Sequence, residues 1–390
     1  MKVIVASGGR FHAYALAQQL IKRQALQRLY TFDYTTRDAQ KVPPALVNCN
    51  QICRLLNTFF EKGRLGRIIN RTTFNSFKDR IFERAVAHGL AKEQDVDLLV
   101  SWSGFLHTSA TQARNKGAKI ILETGSCHTD TQKALIQEEY ARYGLNLNSH
   151  NEKRQAQARL EYQEADLIMA PSSFVQQSFL QRGINPAKIA VVPYGVDLTF
   201  FKPLTEKRAP KKFILLFVGM VSLQKGLHYL LHAWQQAQLP LHEAELVIVG
   251  ALQKDFLLIK HNLPLSSNIR FVGGINRESL RSMYQQATAF VLPSIQEGLA
   301  MVIGEAMASG LPVIVSTHTG GEDLVTHGHS GLLYNPYDIN ALTTHILWCY
   351  NKRSEAATMG LNGHKRIQAF SWDAYGTQVF TIYKQLVGHE

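Results

Sequence analysis

FVLPSIQEGLAMVIGEAMASGLPVIV, residues 290–315, decides the fold. Phe290–Leu292 and Val313–Val315 are short apolar runs that read as buried strands. Between them lie a loop around Gly298 and a helix of small apolar residues (Ala306, Met307, Ala308, Gly310). A strand, a helix and a second strand at this spacing make one turn of a parallel α/β sheet. Glu297 falls in the loop and Glu305 in the helix, with seven residues between them. A glutamate among small apolar neighbours is costly to bury unless something donates to it. Sugar hydroxyls are suitable donors. The bland alternative is a pair of surface glutamates, and the packed apolar context argues against it.

The alternation continues in both directions. Downstream of residue 212, strands are expected at Phe213–Val218, Leu246–Val249 and Ile269–Val272 as well as the two above. Upstream they are expected at Val3–Ala6, Leu29–Phe32, Leu98–Ser101, Lys119–Leu122, Leu167–Ala170 and Ile189–Val192, with helices between them. Ser172 or Ser173 caps a helix that ends near Gly183. The polar, basic stretch KPLTEKRAPKK, residues 202–212, reads as a linker. The expected architecture is α/β, two Rossmann-like doubly wound parallel-sheet domains facing a cleft. Residues 1–200 form the first domain, 201–212 join the two, 213–370 form the second, and 371–390 add a helix after it. Ligands of such sheets bind at the carboxyl ends of the strands, so the cleft is the expected site.

A chain of 390 residues with 45% apolar and 18% charged residues suits two globular domains. The longest apolar run, Phe213–Leu223, falls short of the ~20 residues that span a bilayer. The opening MKVIVASGG reads as a first strand rather than a signal peptide, which implies a cytoplasmic protein. Cysteines at 49, 53, 127 and 349 are too few for a disulfide framework. Cys49 and Cys53 have no second ligand pair nearby for zinc, so reduced thiols are expected. Charge is uneven: residues 1–190 hold 26 Lys and Arg against 16 Asp and Glu, while the rest are nearly balanced. The first half therefore suits an anionic partner such as a phosphorylated acceptor, acidic lipid or nucleic acid.

Glycines follow the first strand of each half. Gly8-Gly9 comes after Val3–Ala6, and Gly219 after Phe213–Val218. Such turns let backbone N–H groups approach a phosphate. Asp33 imitates the ribose-binding acid of a dinucleotide fold, but the first turn lacks three spaced glycines, which disfavours nicotinamide. In the second turn, Lys225-Gly226 leads into an apolar helix (Leu227, Leu230, Leu231, Trp234), and a lysine there suits a diphosphate leaving group. Asp95-Val96-Asp97 imitates a metal-binding D-x-D, but it precedes the strand at Leu98–Ser101 and so sits at the wrong end of the sheet.

Taken together, Glu297 and Glu305 in an E-x7-E pattern, the Gly219…Lys225-Gly226 loop, Pro193-Tyr194-Gly195-Val196-Asp197, Gly8-Gly9 with His12, and Glu123-Thr124-Gly125-Ser126-Cys127-His128 resemble a family 4 glycosyltransferase of the GT-B fold. The resemblance covers nearly the whole chain. It implies retaining, metal-independent transfer from a nucleoside-diphosphate sugar to a glycan or lipid-linked acceptor, with no cofactor and no nucleic acid. By resemblance, Glu297 contacts the transferred sugar, Glu305 holds the ribose and Lys225 neutralises the diphosphate. Main-chain amides over Gly298, Leu299, Ala300 and Met301 face the donor, as do Gly8 and Gly9. His128 approaches the donor sugar, with a helix-capping or core histidine as its alternative. His12 and Arg10 are candidates for the acceptor side, with plain packing as the alternative for His12. Two positions depart from the pattern. Met220 stands where a base is common, with Arg10 as a candidate to supply that charge, and Ala300 narrows the space near the sugar.

The segment 54–92 carries nine bases against three acids. Phe74, Phe77, Ile81 and Phe82 are expected on one helical stripe. Such a helix either lies on an anionic membrane, at the inner face of the cell envelope, or packs the stripe into the core. Two rivals to the transferase remain: a nucleotide-sugar epimerase of the same fold, and a non-catalytic sugar-nucleotide or membrane-binding protein.

Overall fold

The computed structural model describes residues 1–62, 71–146, 152–204 and 212–388, except for the side chains of 61, 62 and 71–73. The first sheet holds β1 (Val3–Ala6), β2 (Leu26–Thr31), β3 (Val47–Cys49), β4 (Leu98–Trp102), β5 (Lys119–Glu123), β6 (Leu167–Ala170) and β7 (Ile189–Val191). All pairings are parallel, in the order β3-β2-β1-β4-β5-β6-β7. The second holds β8 (Phe213–Val218), β9 (Ala244–Val249), β10 (Ile269–Gly273), β11 (Ala289–Leu292), β12 (Val313–Ser316) and β13 (Leu332–Tyr334), in the order β10-β9-β8-β11-β12-β13. Helices cover both faces, so central strands are buried throughout: Leu98, Leu99 and Val100 in one sheet, Leu215, Leu216 and Phe217 in the other.

In both sheets the strand order reverses once, between β1 and β4 and between β8 and β11. At such a switch point the connections leave to opposite faces and open a crevice at the strands' carboxyl ends. The loops after β1, β4, β8 and β11 therefore form the walls of the cleft.

Two strands escape the sequence reading, β3 and β13. Each is three residues long, sits at a sheet edge and carries too few residues to show a period. Asp97 accepts the Lys2 N–H at 2.6 Å and Asp95 pairs with the Lys2 ammonium at 2.7 Å, at the amino end of β4. The first residues of the expected linker belong to the packed structure: Phe201 is buried and meets Tyr284 edge-on, with ring centroids 5.6 Å apart. Residues 205–211 lie outside the described residues.

The helix Trp372–Val387 follows the second domain in sequence but packs on the first. Asp373 accepts from Gln19 at 3.0 Å and pairs with Lys22, and Arg23 donates to Thr377 at 2.9 Å. The chain thus crosses between domains twice, and the crossings are tied by the Val196 N–H donating to the Phe370 carbonyl at 2.8 Å.

The basic segment forms the helices Gln51–Lys62 and Arg71–Lys92, and residues 63–70, with Arg64 and Arg67, lie outside the described residues. The stripe expected at Phe74, Phe77, Ile81 and Phe82 divides. Phe82 is buried, Phe74 is buried and stacks on Phe60, and Phe77 is exposed. An apolar face is exposed on the preceding helix instead, at Ile52, Leu55 and Phe59, three and four residues apart. Among the described residues no helix is long and apolar enough to cross a membrane.

Candidate active site

The loops after β8 and β11 meet at the second switch point. Gly226 has φ +65°, and a Cβ there would lie 1.9 Å from the Pro293 carbonyl oxygen, so only glycine allows this approach. The approach brings Lys225 onto Glu297, where the ammonium and carboxylate form a mostly buried salt bridge. The Glu297 N–H donates to the His318 carbonyl at 2.9 Å, which fixes the loop. Burial matters here because a lysine and a glutamate screened from water hold each other's geometry far better than a surface pair does.

The helix Met301–Ala308 carries Glu305 into the cleft. Its carboxylate accepts from the Tyr284 hydroxyl at 3.0 Å. Burial pushes its pKa up to about 7, against the opposing pull of that hydrogen bond. The cleft beside it has a volume of ≈ 750 Å³ and takes in Met301, Arg277, Arg10 and His12. Of the four amides expected to face the donor, that of Ala300 is already engaged, donating to the Thr319 carbonyl at 3.1 Å.

In the first domain, Gly8 answers to packing. A Cβ there would meet Phe105 at 2.3 Å and Phe32 at 2.8 Å. Gly9 is half-buried beside it, under the Phe11 ring. Arg10 lines the cleft, but its guanidinium is held by Asp38, with Asp33 at 3.5 Å, so its charge is answered within its own domain. Met220, where a base is common in the resembled pattern, is exposed. His12 is buried, with Nε2 3.1 Å from Glu123 and its ring among Trp102, Tyr194 and Tyr375. Phe11 has φ +29°, a strained value for an aromatic residue. It stands exposed on the wall shared by the cleft and a second cavity in the first domain.

His128 departs from its expected role. Its Nδ1 accepts the Asp130 N–H at 3.2 Å, capping the helix Thr129–Arg142. Its ring packs against Tyr162 and Phe179, and burial lowers its pKa. The ring faces the interior of the first domain, while Cys127 and Thr129 on either side line a cavity. The capping alternative is the one the structure adopts.

Several seam residues carry no sequence signal of their own. Gln296, fully buried, donates to Ser126 at 2.7 Å and accepts from Gln132 at 3.1 Å, both across the cleft. The Ser172 hydroxyl donates to the Gly298 carbonyl at 2.6 Å. A Cβ on Gly298 would come within 2.4 Å of the Gly125 carbonyl oxygen. Further along, Glu139 of the first domain meets His228 at 2.7 Å and accepts from the Tyr229 hydroxyl at 2.8 Å, and both Glu139 and His228 are buried. Tyr140 donates to Asp255 at 3.0 Å. The domains are in contact along this line.

Two doubly wound sheets that turn their switch points to one another across a cleft are the GT-B architecture of glycosyltransferases. Residues 6–200 match the family described as Glycosyltransferase Family 4, and residues 202–366 match Glycosyl transferases group 1. The chain belongs to glycosyltransferase family 4. It is 28% identical over 235 residues to the MMP alpha-(1->4)-mannosyltransferase of Mycolicibacterium hassiacum, a match covering 59% of this chain and 56% of that one. It is 27% identical over 188 residues to the capsular polysaccharide biosynthesis glycosyltransferase CapM of Staphylococcus aureus, covering 45% and 48%. The chain thus spans about half the length of these curated relatives. Its fold is that of Anabaena Alr3699/HepE in complex with UDP-glucose, at 18% identity and a TM-score of 0.71, covering 99% of this chain and 100% of that one.

Proposed function

We propose that the protein transfers a glycosyl group, with retention, from a nucleoside-diphosphate sugar to a glycan or lipid-linked acceptor in cell-surface polysaccharide or glycolipid synthesis. The observation that carries this reading is the Lys225–Glu297 pair at the second switch point, with Glu305 one helical segment further on. The occurrence of UDP-glucose in a protein of this fold supports a nucleotide-sugar donor, and the CapM likeness supports a polysaccharide context.

In this reading Glu305 accepts the ribose hydroxyls. Lys225 and the free amides of the neighbouring loop take up the charge on the departing diphosphate. The bond from the anomeric carbon to the diphosphate breaks, and a bond to the acceptor oxygen forms on the same face. The acceptor's proton passes to the departing phosphate oxygen. Glu297 orients the sugar ring from below, where it lies within reach of Lys225. The protein's own cation stands where other transferases use a metal, so turnover is expected to persist in excess chelator. The test is product formation from candidate nucleoside-diphosphate sugars, with the anomeric configuration read by NMR and EDTA present or absent. Formation of a new nucleotide sugar without any acceptor would make it an epimerase instead, whereas a transferase at most slowly hydrolyses its donor. Complete loss in EDTA, restored by magnesium, would overturn the metal-independent reading.

The exposed face Ile52, Leu55 and Phe59, beside the basic segment 54–92, supports docking on an anionic membrane. Apolar side chains enter the headgroup boundary while nearby bases add roughly 1 kcal/mol each. Replacing the three by serine is expected to abolish co-sedimentation with acidic vesicles and to leave the melting midpoint within about 2 °C, since exposed positions contribute little to the fold. Equal pelleting of wild type and variant would remove this assignment.

A further inference from the structure

A second cavity opens in the first domain beside the seam. It measures ≈ 290 Å³ and lies among Trp102, Glu123, Ser126, Gln155 and Tyr162, with Phe11 at the side of the main cleft. Its walls come from the loops after β4 and β5, at the carboxyl ends of the first sheet next to that sheet's switch point. Ser126, on its rim, is the residue that Gln296 of the second domain holds, so the cavity ends where the donor loop begins.

The far end of the cavity leads into a smaller one of ≈ 110 Å³, and the two share Gly104 and Arg154. Arg80, Lys153 and Arg154 all line the smaller space. Among the described residues, none of these three cations makes an ion pair within 4 Å or a hydrogen bond, and the half-buried Asp79 feels Arg154 only at longer range. Arg159, on the same helix as Arg154, is held by Asp130. Three cations from two helices thus meet at one pocket.

The pocket also has a fixed floor. Gly104 sits at φ +97°, and a Cβ there would lie 3.5 Å from the Arg154 guanidinium, so the missing side chain leaves the arginine lying over bare backbone. The turn beneath is clamped from inside by Glu161, fully buried, which accepts from the Gly104 N–H at 2.7 Å, the Leu106 N–H at 3.2 Å and the Ser103 hydroxyl at 3.2 Å. Two acids share the smaller space, Glu83 buried and Asp79 half-buried. Glu83 accepts from Thr108 at 3.2 Å, and burial, together with Glu161, pushes its pKa up to about 7. Burial raises Asp79 to about 6, against the pull of Arg154 and Lys78. Three cations face two acids, and burial favours the neutral form of Glu83, so the balance of the pocket is positive.

We infer that the acceptor carries a phosphate or diphosphate group, seated by Arg80, Lys153 and Arg154, while its reacting hydroxyl lies in the adjoining cavity at the seam. This rests on the transferase reading and names the acceptor's chemical class. The same group could belong to a soluble sugar phosphate or to a polyprenyl-linked sugar, since the small pocket reads only the anion. An arginine over backbone and two mobile cations beside it suit phosphate oxygens, which accept several charge-assisted hydrogen bonds at once.

The test is calorimetric titration of the full chain carrying Lys225→Ala, so that the donor loop does not take the anion. The probes are glucose 6-phosphate, glucose, and a short-chain polyprenyl diphosphate in detergent. At least tenfold tighter binding of one phosphorylated probe than of its neutral counterpart, glucose or polyprenol, is expected. That preference should disappear in the triple variant Arg80→Gln, Lys153→Gln, Arg154→Gln and should weaken with added salt. Preference for glucose 6-phosphate alone makes the source a soluble sugar phosphate, and preference for the polyprenyl probe alone makes it a lipid. Equal binding of charged and neutral probes overturns the inference, as does an undiminished preference in the triple variant. The melting midpoint checks that the variant is folded. Binding of nucleoside diphosphate to the unmutated chain reports separately on the donor reading, which can fail while the acceptor pocket stands.

Discussion

Lys225→Ala is expected to lower kcat/KM for the nucleotide-sugar donor by about a hundredfold or more, the usual loss when a preorganised contact to developing charge is removed. Glu297→Ala should lose a similar factor, but by a different route, because the two side chains hold each other before any donor arrives. Without Glu297, Lys225 no longer has a competing anion, so nucleoside-diphosphate affinity should hold or tighten while kcat falls. Without Lys225, Glu297 is left buried with no cation, and affinity and kcat should fall together. Glu305→Ala should act chiefly on binding, since Glu305 reaches the cleft from the helix and not from the phosphate loop. Steady-state kinetics and nucleotide titrations on the three variants distinguish these patterns. Near-full turnover in folded Lys225→Ala and Glu297→Ala proteins would show that the pair is not the reaction centre.

Glu139→Ala is expected to be the most damaging substitution outside the reaction centre. Glu139 takes the His228 ring and the Tyr229 hydroxyl on one carboxylate, with Arg142 at 3.7 Å, and the group lies between the domains. His228 is fully buried, and its other ring nitrogen, Nδ1, already has no partner. Removing the carboxylate leaves the second ring nitrogen of the buried His228 unanswered and takes the acceptor from the half-buried Tyr229 hydroxyl, which keeps only the Arg142 donor, a loss of roughly 3 kcal/mol. The loss should appear as a lower unfolding midpoint in denaturant and as a larger radius of gyration in solution scattering, because opening the seam lets water reach the stranded groups. A change below about 1 kcal/mol with unaltered scattering would show that the contact does not hold the domains together.

The central strands were legible in the sequence because a strand buried on both faces is an unbroken apolar run, as Phe213–Val218 and Leu98–Val100 are. The edge strands β3 and β13 were not, because three residues with one open side give little signal; the equally short edge strand β7 was read because Ile189–Val192 is a four-residue apolar run. At the site, Lys225, Glu297 and Glu305 could be picked out because each sits at a fixed place in a strand–loop–helix unit. His128 shows where that reasoning fails: the residue stands in the loop the resemblance assigns, yet its ring is drawn inward by Tyr162 and Phe179. Side-chain direction is decided by neighbours distant in sequence, as are the contacts of Glu139 and the cations at Arg80, Lys153 and Arg154.

The return of the helix Trp372–Val387 to the first domain has a consequence in time. Lys22 and Asp373, which bind each other, are 351 residues apart. At about 5–20 residues per second, a ribosome takes roughly 20–70 s to cover that distance. Through that interval the helix Ala13–Lys22 lacks its cover. Tyr375, which closes over the His12 ring, and Tyr383, which lies near Glu123, have not yet been made. The second domain has everything it needs to fold by then, so the domain whose synthesis begins first is completed last. A released chain truncated before residue 372 should therefore bind chaperones through its first domain, while its second is closed to them.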